Sequence, residues 1–234
     1  MLTADCNKYD EHRVGLLDDL KRQAEARQAQ LQSSGASLER QTALVEGACT
    51  TAFRYWMELA KQLNVLKPVA PARYALDGRH VFEQLPMSDF RVDARRRSPA
   101  PNAPHEHVQL FWLLGSGRPL VITKDYPNEI EKLQTRLRMS GVDFHIENIR
   151  DPEDGRYLHT RFEFTADFTA GVKLLPQHEQ GQVQFQLINL EGFETALVEL
   201  PAFEVNQAVL DELAKLMLGQ PNGFFQCGRV LRRG

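Results

Sequence analysis

His105-Glu106-His107 comes closest to a reaction centre in this chain. Residues two apart in an extended segment face the same way, about 6.6 Å from each other. A zinc ion can bridge that spacing. His145 and His159 occupy segments of similar extended character, with Glu147 and Glu163 close behind them. If strand register aligned these segments, His105, His107, His145 and His159 would offer several imidazole nitrogens with a carboxylate nearby. Such a set can hold a metal ion that activates water, the core of a metal-dependent hydrolase. Glu147 and Glu163 could also act as a metal-free acid/base pair. The competing reading is simpler: a solvated sheet face carries His, Arg and Glu with no chemistry attached. No motif tips the balance toward catalysis. The chain has no G-x-x-x-x-G-K-[ST], no G-x-S-x-G and no H-E-x-x-H, each of which would tie residues to a mechanism. No catalytic residue is assigned, no cofactor is expected, and a non-enzymatic role is favoured.

A second constellation is cationic. Arg91, Arg95, Arg96 and Arg97 run into the proline-rich stretch 98–104, and Arg229, Arg232 and Arg233 lie at the carboxyl end. Several arginines on one surface would grip phosphates with salt-dependent affinity, so a nucleic-acid-associated protein is an alternative reading. Two features oppose it. The net charge is −3, and residues 105–200 alone carry nine basic against fifteen acidic side chains, a field that repels a long polyanion. The aromatic interleaving typical of single-strand binders is also missing. "RRRSPAPNAP" reads instead as an exposed, proline-stiffened connector.

The elements that must position these groups follow from periodicity. Residues 9–32 are rich in Ala, Gln, Arg, Glu and Leu and predict a helix, with Val14, Leu17, Leu20, Ala24 and Leu31 as a thin apolar stripe. "SSGAS" at 33–37 predicts a break, with Ser37 as N-cap of a second helix. That helix carries Leu38, Thr42, Val45, Cys49, Ala52, Trp56, Leu59, Leu63 and Leu66 at alternating spacings of four and three, a coiled-coil seam. Two helices joined by a short polar break predict an antiparallel helical hairpin. Helix 1 offers the seam only small or polar partners, so Leu17, Ala24, Leu38, Thr42 and Val45 are expected to meet a partner protein or a second copy.

Beyond Pro68 the chain turns strand-rich. "EHVQLFWLLG" and "PLVITK" flank Gly115-Ser116-Gly117-Arg118, which reads as a hairpin turn. Helices are predicted at about 127–140 and 206–218, with Gly141 and Gly219 as their stops. Alternation in 157–164 and 182–187 predicts strands with one apolar face. The short gaps between strands admit mainly antiparallel neighbours. The expected fold is α+β: an N-terminal helical hairpin, then a mainly antiparallel sheet covered on one face by helices. The expected divisions are 1–68 for the hairpin, 69–104 for an irregular connector with short extended segments, and 105–234 for the sheet domain.

Composition sets the outer limits. At 42% hydrophobic and 25% charged, the 234 residues match an ordinary globular chain. No apolar run approaches the ~20 residues that span a bilayer, and the N-terminus lacks a signal-like apolar region. Cys6, Cys49 and Cys227 are odd in number and far apart, which argues against a disulfide framework and for the cytoplasm. The sequence therefore points to a cytoplasmic interaction or adaptor protein without membrane contact, a subunit of a larger assembly that contacts partners through its helical hairpin.

Overall fold

The computed structural model describes residues 16–100 and 102–233, the side chains of 16–19, 29 and 31–34 excepted. Its first element is one α-helix, α1, Leu16–Leu66. The fold-back expected at 33–37 does not occur, because those residues lie inside α1. The reason is energetic. Serine costs a few tenths of a kcal/mol in a helix and glycine about 1 kcal/mol, and with no proline in the stretch the flanking helix formers carry the chain through. Residues 9–15 of the expected first helix lie outside the described residues.

Contacts divide the chain into two units, Met1–Arg40 and Gln41–Gly234. In the first, the described residues are all helical, and every described side chain from Leu20 to Arg40 is exposed. In the second, the seam enters a core: Val45, Ala48, Cys49, Ala52, Trp56, Ala60 and Leu63 are buried. Leu66, the last expected seam position, is 72% exposed. Helix α1 stops where Lys67 takes a left-handed φ of 46° and its N–H bonds Leu63 O at 2.8 Å; Pro68 then blocks continuation.

The remaining elements are β1 Tyr74–Ala75, β2 Val81–Phe82, β3 Met87–Arg96, β4 His105–Lys124, α2 Pro127–Met139, β5 Phe144–Arg150, β6 Tyr157–Gln177, β7 Gln182–Ile188, β8 Thr195–Pro201, α3 Gln207–Met217 and β9 Arg229–Arg233. Strands β3 to β9 form one sheet of order β3-β4-β6-β7-β8-β9, with β5 also paired to β6. All its ladders are antiparallel. Strand β6 is the axis. Its first half lies between the end of β4 and β5, and its second half between the start of β4 and β7. The expected alternation of 157–164 holds on it from Thr160 onward, with Thr160, Phe162 and Phe164 buried and the pattern continuing through Ala166 and Phe168, whereas Leu158 at its head is exposed.

Two expected loops are part of this sheet. Gly115–Arg118 is a bulge within β4, because both flanking segments pair with the same continuous strand: Gly115 faces Asp167 and Pro119 faces Thr165. Gly117 absorbs the bulge at φ 61°, a conformation glycine tolerates best. The stretch 69–104, expected to be an irregular connector with short extended segments, holds two such segments, β1 and β2, which pair with each other in a separate two-stranded sheet, but also the ten-residue edge strand β3. Its prolines at 99 and 104 sit in the β3–β4 turn, while Met87–Arg96 has none and pairs with β4 from Met87↔Leu114 to Arg96↔His105; Pro101 lies outside the described residues.

The core joins helices to sheet. Trp56 of α1 meets Phe185 of β7 edge-on, centroids 6.3 Å apart, and Phe185 meets Phe224 at 5.7 Å. Leu133 and Leu137 of α2 and Leu210, Leu213 and Met217 of α3 belong to the same buried cluster. Asn206 caps α3 by accepting the Val209 N–H, which satisfies a donor the helix cannot. Among the described residues, no helix is long and apolar enough to cross a membrane.

Candidate functional site

The antiparallel pairing of β4 with β6 brings the start of one strand beside the end of the other. Val108 faces Leu174, so His105 at the head of β4 and His178, just past the end of β6, meet at one corner of the sheet. The helix α1 passes that corner with Glu46 and Cys49, three residues apart and therefore on one helical face. The Glu46 carboxylate sits between the two imidazoles. Its Oε2 accepts from His105 Nδ1 at 2.7 Å, and its Oε1 accepts from the His105 backbone N–H and from His178 Nε2, both at 2.8 Å.

This cluster is largely withdrawn from water. The His105 and His178 side chains are 8% and 6% exposed, and that of Glu46 is 25% exposed; Cys49 is fully buried. An ionised carboxylate only accepts, so the ring nitrogens facing it carry the protons. That leaves His178 Nδ1 buried without a partner among the described residues. Burial pushes the Glu46 carboxyl up, but the bonds from His178 and from His105 outweigh it and hold the group below its usual range. Burial, with the Glu46 charge nearby, pushes the Cys49 thiol up to about 12. One oxygen of Glu46, the sulfur of Cys49 and a ring nitrogen of His105 lie within 4.8 Å of one another, so the three can converge on a single ion.

Of the histidines singled out by spacing, only His105 enters this cluster. His107 is buried at its own position on β4, where burial and Lys173 lower its pKa. His145 faces Glu163, and His159 faces Ile149 on the far half of β6. From Glu163 to Leu174 is about 36 Å of extended strand, so the register does not bring His107 together with His145 and His159. Glu163 is ion-paired with Arg161 on its own strand. Reasoning from strand spacing missed Glu46 and His178. The available signal was a lone carboxylate set between the seam residues Val45 and Cys49, where an unpaired charge would be costly.

The arginines are split between the two edges of the sheet. Arg91, Arg95 and Arg96 lie on β3, Arg97 just beyond it, and Arg229, Arg232 and Arg233 on β9. These two edge strands do not pair with each other; four strands stand between them in the sheet order. Most of these side chains already have local partners. Arg91 pairs with Asp89 at 2.8 Å, Arg95 with Glu106 at 3.0 Å and Arg229 with Glu199 at 2.7 Å. Arg96 donates to Ala103 O at 2.6 Å. Arg233 pairs with Glu191 at 2.9 Å and lies 4.3 Å from the Phe225 ring centroid.

Among the expected partner contacts, Ala24 is exposed, Leu38 is 45% exposed and Thr42 is half-buried. Val45 is fully buried in the protein's own core and is not available to a partner, because from this position onward the seam is taken up internally. The side chain of Leu17 lies outside the described residues. Comparison with family models, curated proteins and solved structures finds no match.

Proposed function

We propose that the protein is a non-catalytic interaction protein, a subunit of a larger cytoplasmic assembly that engages another chain through the amino-terminal part of α1. One observation carries this reading: every described side chain from Leu20 to Arg40 is exposed although the backbone is helical throughout. Most helical stability in proteins comes from packing an amphipathic face rather than from propensity, so this part of α1 gains most by laying its apolar stripe on another surface. The stripe is in register for such packing. Leu17, Ala24, Leu31, Leu38 and Val45 recur at multiples of seven, the repeat of a coiled-coil seam. Its small residues and central Gly35 suit close approach by a second helix. Ala24, Leu38 and Thr42 are the contact residues, with Leu17 extending the seam.

The test is a double variant, Ala24→Glu with Leu38→Glu, measured by sedimentation and by lysine-directed cross-linking from Lys21. Wild-type protein is expected to self-associate or to cross-link through Lys21 to a second chain. The variant is expected to lose that contact while melting at the same temperature. Cross-links between identical peptides identify a second copy, and other peptides identify a different partner. A strictly monomeric wild type with no intermolecular cross-link from Lys21 refutes the proposal, as does a contact that survives the double variant.

A further inference from the structure

We infer that Glu46, Cys49 and His105 form a site for a zinc-class divalent transition-metal ion, with His178 as the group that orients the carboxylate. This site does not involve the exposed amino-terminal part of α1 on which the proposed interaction rests. Three ligand atoms of complementary type lie within 4.8 Å of one another, supplied by a helix face and by the head of a strand that is locked into the sheet. Thiolate, imidazole and carboxylate together select a borderline-soft metal over calcium or magnesium, which take oxygen ligands. The charges balance, since one carboxylate and one thiolate neutralise a dication. That matters at a corner where Cys49 is fully buried. His178 bonds the Glu46 oxygen at 2.8 Å, the kind of outer contact that fixes a ligating carboxylate and tunes its donor strength. Three protein ligands leave a fourth position open, and the partial exposure of Glu46 gives a route for water or an ion to reach it.

Uptake of the ion would proceed with defined proton balance. The Cys49 thiol loses its proton to solvent as the sulfur–metal bond forms. His105 keeps its single ring proton but moves it to the nitrogen that does not ligate. Each metal bound therefore releases one proton, and affinity rises with pH.

The experiment uses the full chain, stripped with chelator and titrated with Co²⁺. A thiolate-to-cobalt charge-transfer band is expected to saturate at one equivalent, to be displaced by Zn²⁺, and to vanish in Cys49→Ala and in His105→Gln. It should persist in Cys6→Ala and Cys227→Ala. No band at excess Co²⁺ in folded wild-type protein overturns the inference and leaves the cluster as a structural tie. So does a band that survives Cys49→Ala. If Cys49→Ala does not fold, zinc-edge absorption of the wild type reads the ligands directly, with one sulfur expected and a sulfur-free shell overturning the site.

Discussion

Replacing Glu46 by alanine tests the corner where α1 meets the sheet. The carboxylate accepts from the His105 N–H, from the His105 ring and from His178, at 2.7–2.8 Å. Hydrogen bonds to a charged acceptor are worth about 1.5–3 kcal/mol each, so losing all three at the low end removes about 4.5 kcal/mol. Because the Glu46 side chain is partly exposed, water entering the gap restores part of that, and a net loss of about 2–4 kcal/mol is expected. Glu46→Gln should cost less, about 1–2 kcal/mol. Its amide oxygen, in the place of Oε1, keeps the His105 backbone N–H and His178 Nε2 as donors, while its NH₂ faces His105 Nδ1, which must give up its proton to the far nitrogen. Urea denaturation of chelator-treated protein measures both variants. The pH dependence has a definite sign. Because the folded pKa of Glu46 is lowered, its contribution is fully present above the unfolded value of about 4.3 and is lost as pH falls through the folded one. The gap between wild type and Glu46→Ala should stay level from about pH 5 to pH 7, as far as this group is concerned, and narrow below about pH 4. A loss under about 1 kcal/mol at neutral pH, or a gap that fails to narrow below about pH 4, would refute the account of this network.

Trp56→Ala removes a fully buried ring packed on Phe185 and should cost about 3–5 kcal/mol by urea denaturation, whereas Leu38→Ala should stay within about 0.5 kcal/mol for the isolated chain. Two glycine substitutions should act in opposite directions. Gly35→Ala, with open space at its Cβ, should raise helical content by circular dichroism, favouring α1 by about 1 kcal/mol; a fall in helicity would restore the turn at 33–37. Gly219→Ala should lower the melting temperature, because Gly219 holds φ +68° and a Cβ there would lie 2.4 Å from that of Pro71.

The parts legible in the sequence were those governed by local periodicity. Alternating apolar residues in 157–164 and 182–187 marked strands that β6 and β7 contain. The pattern at 206–218, ended by Gly219, matches α3 to within a residue at each end, and the region near 127–140 matches α2. Spacings of three and four marked which side of α1 faces inward between Val45 and Leu63. These features depend on neighbours within one or two turns or pleats, and the sequence states those directly.

Tertiary structure decided what local signals leave balanced. Ser33–Ser37 carries turn-type residues, yet each costs so little in a helix that the flanking segments set the outcome. Gly115–Arg118 has the composition of a hairpin, and only the unbroken partner strand β6 makes it a bulge. The corner joining Glu46, Cys49, His105 and His178 unites residues up to 132 positions apart. Which histidine faces the carboxylate depends on strand register, and a slip of one residue would turn it to the other side of the sheet. The sequence by itself determined the apolar faces of α1 beyond Val45, α2, α3, β6 and β7, because those patterns are local. The meeting of distant polar groups was settled only by the pairing of β4 with β6 and the seating of α1, because long-range register is a cooperative property of the whole packed core.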